Sequence, residues 1–258
     1  DVLGIEPATK IAQEAKKAGV PTISEFFSPS LAQTIVKTKT KASVITANNV
    51  FAHIDNLDEV VMGVKTLLDP NGVFIIEAPY LVDFLKKNYF DLVYHEHLSY
   101  LSIKPLEVLF DRFAMEIFDV EKVPVHGGSI RVYVKHKKGT HRIRSSVSTF
   151  LRKEQELNLY ETTTWRSFAK QILGNKARLV KLLASLKVKG KSIAGYGAPA
   201  KGNTLLTYFG IGKEILDFIV DDSPWKQNLL TPGTHIPVVS SEMLYKKKPD
   251  YLLILAWN

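Results

Sequence analysis

The chain has 258 residues, 45% hydrophobic and 23% charged, with a net charge of +8 and no cysteine. This is ordinary globular usage, so a disordered or collagen-like chain is excluded, as are disulfide scaffolds and thiolate chemistry within it. No run approaches the ~18 apolar residues of a membrane span and no secretory leader is visible, so a cytoplasmic protein without a membrane partner is expected.

The first elements alternate between strand and helix. Asp1–Glu6 reads as the end of a buried strand, and Pro7 opens a helix through Ala18 that closes at Gly19. A strand at Pro21–Ser24, a helix at Pro29–Lys37 and a β-branched strand at Ala42–Ala47 follow. Asn56–Leu68 repeats apolar residues at helical spacing and ends in the turn Asp69–Gly72, after which Val73–Ala78 is a continuous apolar strand. Such alternation implies right-handed βαβ units and a parallel sheet. Ala114–Lys122 and Ser129–Lys137, joined by His126-Gly127-Gly128, read as an antiparallel hairpin at the sheet edge. Arg144–Leu186 is helical throughout. A second βαβ series follows, with strands at Lys191–Tyr196, Leu216–Val220, Ile236–Val239 and Tyr251–Ala256 and helices at Ala200–Phe209 and Met243–Lys247. The chain starts inside a strand and stops where a helix is due. An open sheet without its first strand would bare an apolar edge, so a βα unit before Asp1 is expected.

Polar residues at strand ends are the candidates for chemistry, because open α/β sheets bind ligands beyond the carboxyl ends of their strands. Glu6 closes the first strand, where a carboxylate can accept from both hydroxyls of a ribose. Asn48, Asn49 and His53 follow the third strand, as site residues or as turn formers. Tyr94-His95-Glu96-His97 is the densest titratable cluster. Its two histidines lie two apart rather than four, which fits a zinc-protease motif poorly. Acid–base work is the other reading, since imidazole titrates near neutrality, and a packed or solvated loop is the third. His126 to Arg131 joins a permissive Gly-Gly turn to an arginine able to grip an anion. Gly195–Asn203 carries Lys201 at a strand-to-helix junction, and Asp221–Gln227 sets Trp225 beside Lys226. Together these two loops suggest an anion or nucleotide site.

In their joint order these segments resemble the sugar C-methyltransferases that act on nucleotide-linked 4-keto deoxysugars. The resemblance covers essentially the whole chain and is carried by Asn48-Asn49-Val50 with His53, Tyr94-His95-Glu96-His97 with Ser99-Tyr100, His126–Arg131 and Gly195–Asn203. It implies a class I methyltransferase-like doubly wound sheet over 1–140, truncated at its start, a helical linker over 141–189, and a smaller Rossmann-like α/β domain over 190–258. It implies S-adenosylmethionine as cofactor, with zinc confined to an N-terminal domain that this chain lacks, and a nucleotide sugar as substrate. His97 is then the base tuned by Glu96, while Tyr94 and His53 orient the sugar or stabilise the enolate. Glu6, Glu25, Phe26, Asn48 and Asn49 face the cofactor; His126, Ser129, Arg131, Tyr196, Lys201, Asn203 and Lys226 face the substrate. The Gly-rich cofactor loop of the family is not in the chain, so weak cofactor binding is expected.

A competing reading uses the basic segment 135–191, with 15 Lys/Arg against 3 Asp/Glu, to bind nucleic acid or phosphate. Its aromatics (Phe150, Tyr160, Trp165 and Phe168) recur at core-like helical spacing rather than as a stacking ladder, so no nucleic-acid partner is expected. A nicotinamide-dependent oxidoreductase lacks its glycine fingerprint in both halves.

Overall fold

The computed structural model describes residues 1–257, apart from the side chain of His126. In chain order the elements are β1 (Gly4–Ile5), α1 (Thr9–Lys17), β2 (Thr22–Ile23), α2 (Pro29–Thr38), β3 (Ala42–Asn48), α3 (Leu57–Leu67), β4 (Leu68–Pro79) and α4 (Leu81–Lys87). Then come α5 (Ile103–Arg112), β5 (Met115–Val123), β6 (Ser129–His136), α6 (Ser145–Glu156) and α7 (Thr162–Val188). The last are β7 (Ile193–Tyr196), α8 (Ala200–Phe209), β8 (Phe218–Val220), β9 (Val238–Val239), α9 (Glu242–Lys247) and β10 (Tyr251–Ile254). They form two compact units, Asp1–Pro79 with Leu98–Glu154, and Tyr80–His97 with Gln155–Asn258. Division at 140 and 189 follows the chain; the compact units are instead discontinuous, because residues 80–97 pack with the second.

In the first unit β3, β4, β6 and β5 lie side by side in that order. β3 and β4 are parallel, while β6 runs antiparallel to both β4 and β5. The hairpin predicted from its Gly-Gly turn therefore closes one side of the sheet, with β5 outermost. Gly127 and Gly128 take φ of +81° and +138° there, conformations in which a side chain would be strained. β1 and β2 pair with each other as a separate parallel ribbon, so the single doubly wound sheet expected from the sequence is here in two pieces. Ile5 and Ile23 of that ribbon pack with Leu31, Ile35 and Leu67, which is why α2 and α3 are amphipathic. Ser28 Oγ accepts from the Leu31 amide at the start of α2, with Pro29 as its first residue. Phe74 of β4 meets Phe51 and Phe110 at 6.0 and 6.3 Å between ring centres.

The Asp69–Gly72 turn lies within β4 rather than before it. Leu68 pairs with Ala42 and Val73 with Val44, so four residues of β4 bulge out opposite Ser43. Asp69 Oδ1 accepts from the Asn71 amide, which closes this excursion as an Asx turn.

In the second unit β10, β7, β8 and β9 form an all-parallel sheet in that order. Ile193, Leu206, Phe209, Leu216, Ile219 and Leu255 are buried around it, together with Phe84 of α4 and Phe168 and Ile172 of α7. The helical stretch predicted as one splits at Asn158, whose φ is +48°. Trp165 Nε1 donates to the Leu159 carbonyl at 2.8 Å and secures that break. α4 and α5 were not foreseen. Ile103, Leu106 and Phe110 do recur at helical spacing, but Pro105 conceals the signal; it is tolerated because it falls in the first turn.

Candidate active site

The segment Tyr94–His97 belongs to the second unit, and one turn of 3-10 helix, Phe90–Leu92, precedes it. The chain then folds back so that Tyr94 and His97 meet: the His97 amide donates to the Tyr94 carbonyl at 3.0 Å. His97 Nδ1 lies 2.8 Å from the Leu92 carbonyl oxygen. A carbonyl only accepts, so Nδ1 carries the proton and Nε2 holds the lone pair. That lone pair faces the Tyr94 hydroxyl at 3.0 Å. Burial, and then the Glu96 charge, push the Tyr94 phenol above its ordinary range. It therefore remains protonated at neutral pH and donates to Nε2. Glu96 stands 3.9 Å from His95 Nε2, both side chains largely exposed. The Leu92 carbonyl and the Tyr94 hydroxyl thus stand at the two ring nitrogens of His97.

The 3-10 turn is itself held. Asp91 is 4% exposed and its Oδ2 accepts from Trp257 Nε1 at 2.6 Å. Lys201 is 5% exposed, with Nζ 3.7 Å from the Trp257 ring centre. Burial pushes the Asp91 carboxyl up, against the pull of the Trp257 N–H and the Lys201 charge. Burial likewise pushes the Lys201 ammonium down, opposed by Asp91. Lys201, expected to face the substrate, has its ammonium buried over an indole.

The loops after β7 and β8 do converge. Asp221 Oδ2 accepts from the Ala198 amide at 2.8 Å and from Lys226 Nζ at 3.2 Å, and Oδ1 from the Ser223 amide. Lys226 is thereby tied to its own loop. Tyr196 is exposed and Asn203 half-buried, and Trp225 is 88% exposed.

In the first unit Arg131 also has partners other than those expected. Its Nε and Nη2 both donate to Glu77 Oε2, at 3.2 and 2.7 Å, and Nη1 donates to Glu121 at 2.8 Å. The strand register explains this, since Glu77 and Glu121 lie directly opposite Arg131 across β6. A guanidinium between two carboxylates is a poor ligand for a further anion. Ser129 is buried, and its hydroxyl donates to the Val125 carbonyl at 3.0 Å within the turn. The side chain of His126 lies outside the described residues. His53 is exposed; beside it the Ala52 carbonyl accepts from the amides of Leu98 and Ser99.

A family described as the C-methyltransferase C-terminal domain matches residues 124–258, and a methyltransferase domain matches 2–118. The C-methyltransferase NovU of Streptomyces niveus is 38% identical over 257 residues, covering 100% of this chain and 61% of that protein. The chain belongs to the C-methyltransferase family. It spans about 61% of the length of this curated relative. Among solved structures, a SAM-dependent methyltransferase from Anabaena variabilis is 17% identical with a TM-score of 0.40, covering 52% of this chain and 68% of that one. The plantazolicin methyltransferase BpumL, solved with a pentazolic desmethylPZN analogue and SAH, is 12% identical at the same TM-score, covering 53% and 67%.

A C-methyltransferase needs places for a ribose and an aminoacyl group, and the donor set of the first unit fits both. Glu6 ends β1, with Oε1 accepting from the Ala8 amide at 2.8 Å, so the carboxylate is set at the entrance of α1. Asn49 follows β3 at φ +54°, its Nδ2 3.5 Å from Glu77 Oε1. Its Oδ1 is buried without a partner, an acceptor suited to an ammonium or hydroxyl donor. Asn48 and Glu25 are exposed, and Phe26 is 80% exposed. A cleft of about 480 Å³ in this unit is lined by Asp55, Asp58, Ser99 and Tyr100, with Asp58 paired to Arg112. Among the described residues no group of three His, Asp or Glu is placed to hold a metal ion. Asp91, Trp257 and Glu77 are the site-supporting residues that sequence reasoning missed. Their only signal was position, a carboxylate three residues before Tyr94 and a tryptophan beyond the last strand.

Proposed function

We propose that the protein methylates a carbon next to the ketone of a nucleotide-linked 4-keto deoxysugar, taking the methyl group from S-adenosylmethionine. The reading rests above all on the His97 imidazole, whose Nδ1 proton is held by a carbonyl so that Nε2 is the basic atom. A C–H next to a ketone is a weak acid, and Nε2 takes its proton while the C–H electron pair becomes the enolate. Negative charge then grows on the ketone oxygen, where a donor has most effect. Tyr94, kept protonated by burial, supplies that donor once its hydroxyl swings from Nε2 to the oxygen. His53 is a second candidate for this role. Bound S-adenosylmethionine supplies a sulfonium methyl group as electrophile. Glu6 would hold its ribose and Asn49 its aminoacyl end, with Asn48, Glu25 and Phe26 at the margin. The family match supports methyl transfer to carbon, and NovU carries the same description; the sugar follows from the motif resemblance alone. The remaining substrate-side candidates are His126, Tyr196, Asn203 and the backbone of the Gly127-Gly128 turn.

The proton step can be tested without the methyl donor. Incubated in D2O, a nucleotide-linked 4-keto deoxysugar should lose the NMR signal of its proton next to the ketone. His97→Gln should slow that exchange by about 10²–10⁴-fold. Exchange at the wild-type rate in the variant would exclude His97 as the base. With labelled S-adenosylmethionine added, label should appear on the same carbon; label on oxygen or nitrogen would overturn the reaction class.

A further inference from the structure

The base is fixed by neighbours that no motif identifies. Leu92, whose carbonyl orients His97, is the last residue of the Phe90–Leu92 turn. Residues on either side of it are held by partners of the second unit. Phe90 stacks on Phe209 of α8, ring centres 5.1 Å apart and nearly parallel. The Val93 carbonyl accepts from Thr204 Oγ1 at 3.3 Å. Tyr89 stacks on Trp257 at 4.1 Å. Asp91 binds the Trp257 indole N–H, and Lys201 lies over the same ring.

The polar part of this arrangement is a poor choice for stability alone. Lys201 is the second residue of α8, where a cation opposes the helix dipole. It is also almost wholly buried, as is Asp91, and well-packed apolar residues commonly stabilise as well as a buried ion pair. Packing of Phe90 and Tyr89 would hold the segment in place but would leave its rotation open. A carboxylate with a 2.6 Å indole donor on one side and a buried cation nearby sets a direction.

We propose that Asp91, Lys201 and Trp257 form a clamp that positions His97, holding the Leu92 carbonyl on Nδ1 so that Nε2 is the basic nitrogen. In this role Lys201 acts on the reaction through the protein rather than through a substrate phosphate. The importance of the clamp for catalysis rests on the methyl-transfer reading; the clamp itself does not, and is tested without substrate or cofactor.

The ring nitrogens of His97 can be observed by 15N NMR in the full chain, at a pH where the imidazole is neutral. In the wild type the proton should sit on Nδ1. In Asp91→Asn/Lys201→Met, which removes both charges together, the ratio of Nδ1–H to Nε2–H forms should fall about tenfold, the scale of one lost charge-assisted hydrogen bond. His136, whose Nε2 meets the Leu68 carbonyl in the other unit, should not change and controls for general loosening. Trp257→Phe keeps an aromatic ring for Tyr89 but loses the N–H together with part of the indole surface, and should shift the ratio in the same direction. If the double variant does not fold, Trp257→Phe decides. A His97 that keeps its wild-type ratio in the folded variants overturns the clamp. A shifted ratio in a protein whose His97→Gln variant exchanges ketosugar protons normally would uphold the clamp and remove its catalytic purpose.

Discussion

At the scale of single residues, the arginine of the Gly-Gly motif shows how chemistry read from residue type is redirected by neighbours. Arg131 was a fair candidate for anion binding, yet antiparallel pairing sets it between Glu77 and Glu121. The Glu77 side chain is 7% exposed and that of Arg131 36%. Removing the cation in Arg131→Met leaves a buried carboxylate uncompensated, and should cost about 2 kcal/mol in urea unfolding, below the ~3–5 of a fully buried pair because Arg131 is partly solvated. Glu77→Gln/Arg131→Met should recover most of that loss, since no charge is then stranded. A double variant as unstable as the single would show that packing, not charge, is at stake. Spacing alone leaves two pairings open for Tyr94, with Glu96 in an extended segment or with His97 in a helical turn, and the backbone turn decides for His97. Asp91 and Trp257 were not legible in the sequence, because they are 166 residues apart in the chain.

At the scale of elements, junctions carry the strongest constraints. Gly197 leaves β7 at φ +82°, and a Cβ there would stand 2.3 Å from that of Ala256. Gly197→Ala combines a strained conformation with a clash and should destabilise the protein by about 2–4 kcal/mol; an unchanged Tm would contradict this account of the β7–β10 edge. Asp221 ties the loops after β7 and β8. Burial raises its carboxyl, but the amides of Ala198 and Ser223 and the Lys226 ammonium outweigh it, so the group lies below its ordinary range. A depressed folded-state value contributes stability that is full above the unfolded value of about 4 and is lost as pH falls through the folded one. The urea midpoint should therefore decline on acidification below about pH 4, and Asp221→Asn should flatten part of that decline. An identical acid profile in the variant would assign the decline to other carboxylates.

At the scale of the whole molecule, the charge of +8 invites a polyanion-binding reading, but the basic segment is partly neutralised by carboxylates from elsewhere in the chain. Lys135 pairs with Glu116, Lys137 with Asp111, Arg144 with Asp119, Lys187 with Asp217 and Lys191 with Asp250. Phe168 is buried and Trp165 packs on the core, which leaves few rings for base stacking. Binding to duplex DNA should be no tighter than about 10⁻⁵ M at 0.15 M salt and indifferent to sequence. Sequence-selective binding in fluorescence anisotropy, at nanomolar protein and the same salt, would revive the alternative. Among the described residues no helix is long and apolar enough to cross a membrane.

The alternation of strands and helices and the hairpin at the Gly-Gly turn could both be read from the chain, because each depends on residues a few positions apart whose periodicity and turn chemistry are local. The tertiary structure decided what each charged side chain meets. Burial makes an unpaired charge costly, so Arg131 and Lys201 take the carboxylates and rings that folding brings to them. Which residues those are depends on strand register and on returns of the chain from more than fifty positions away, and no local pattern encodes either.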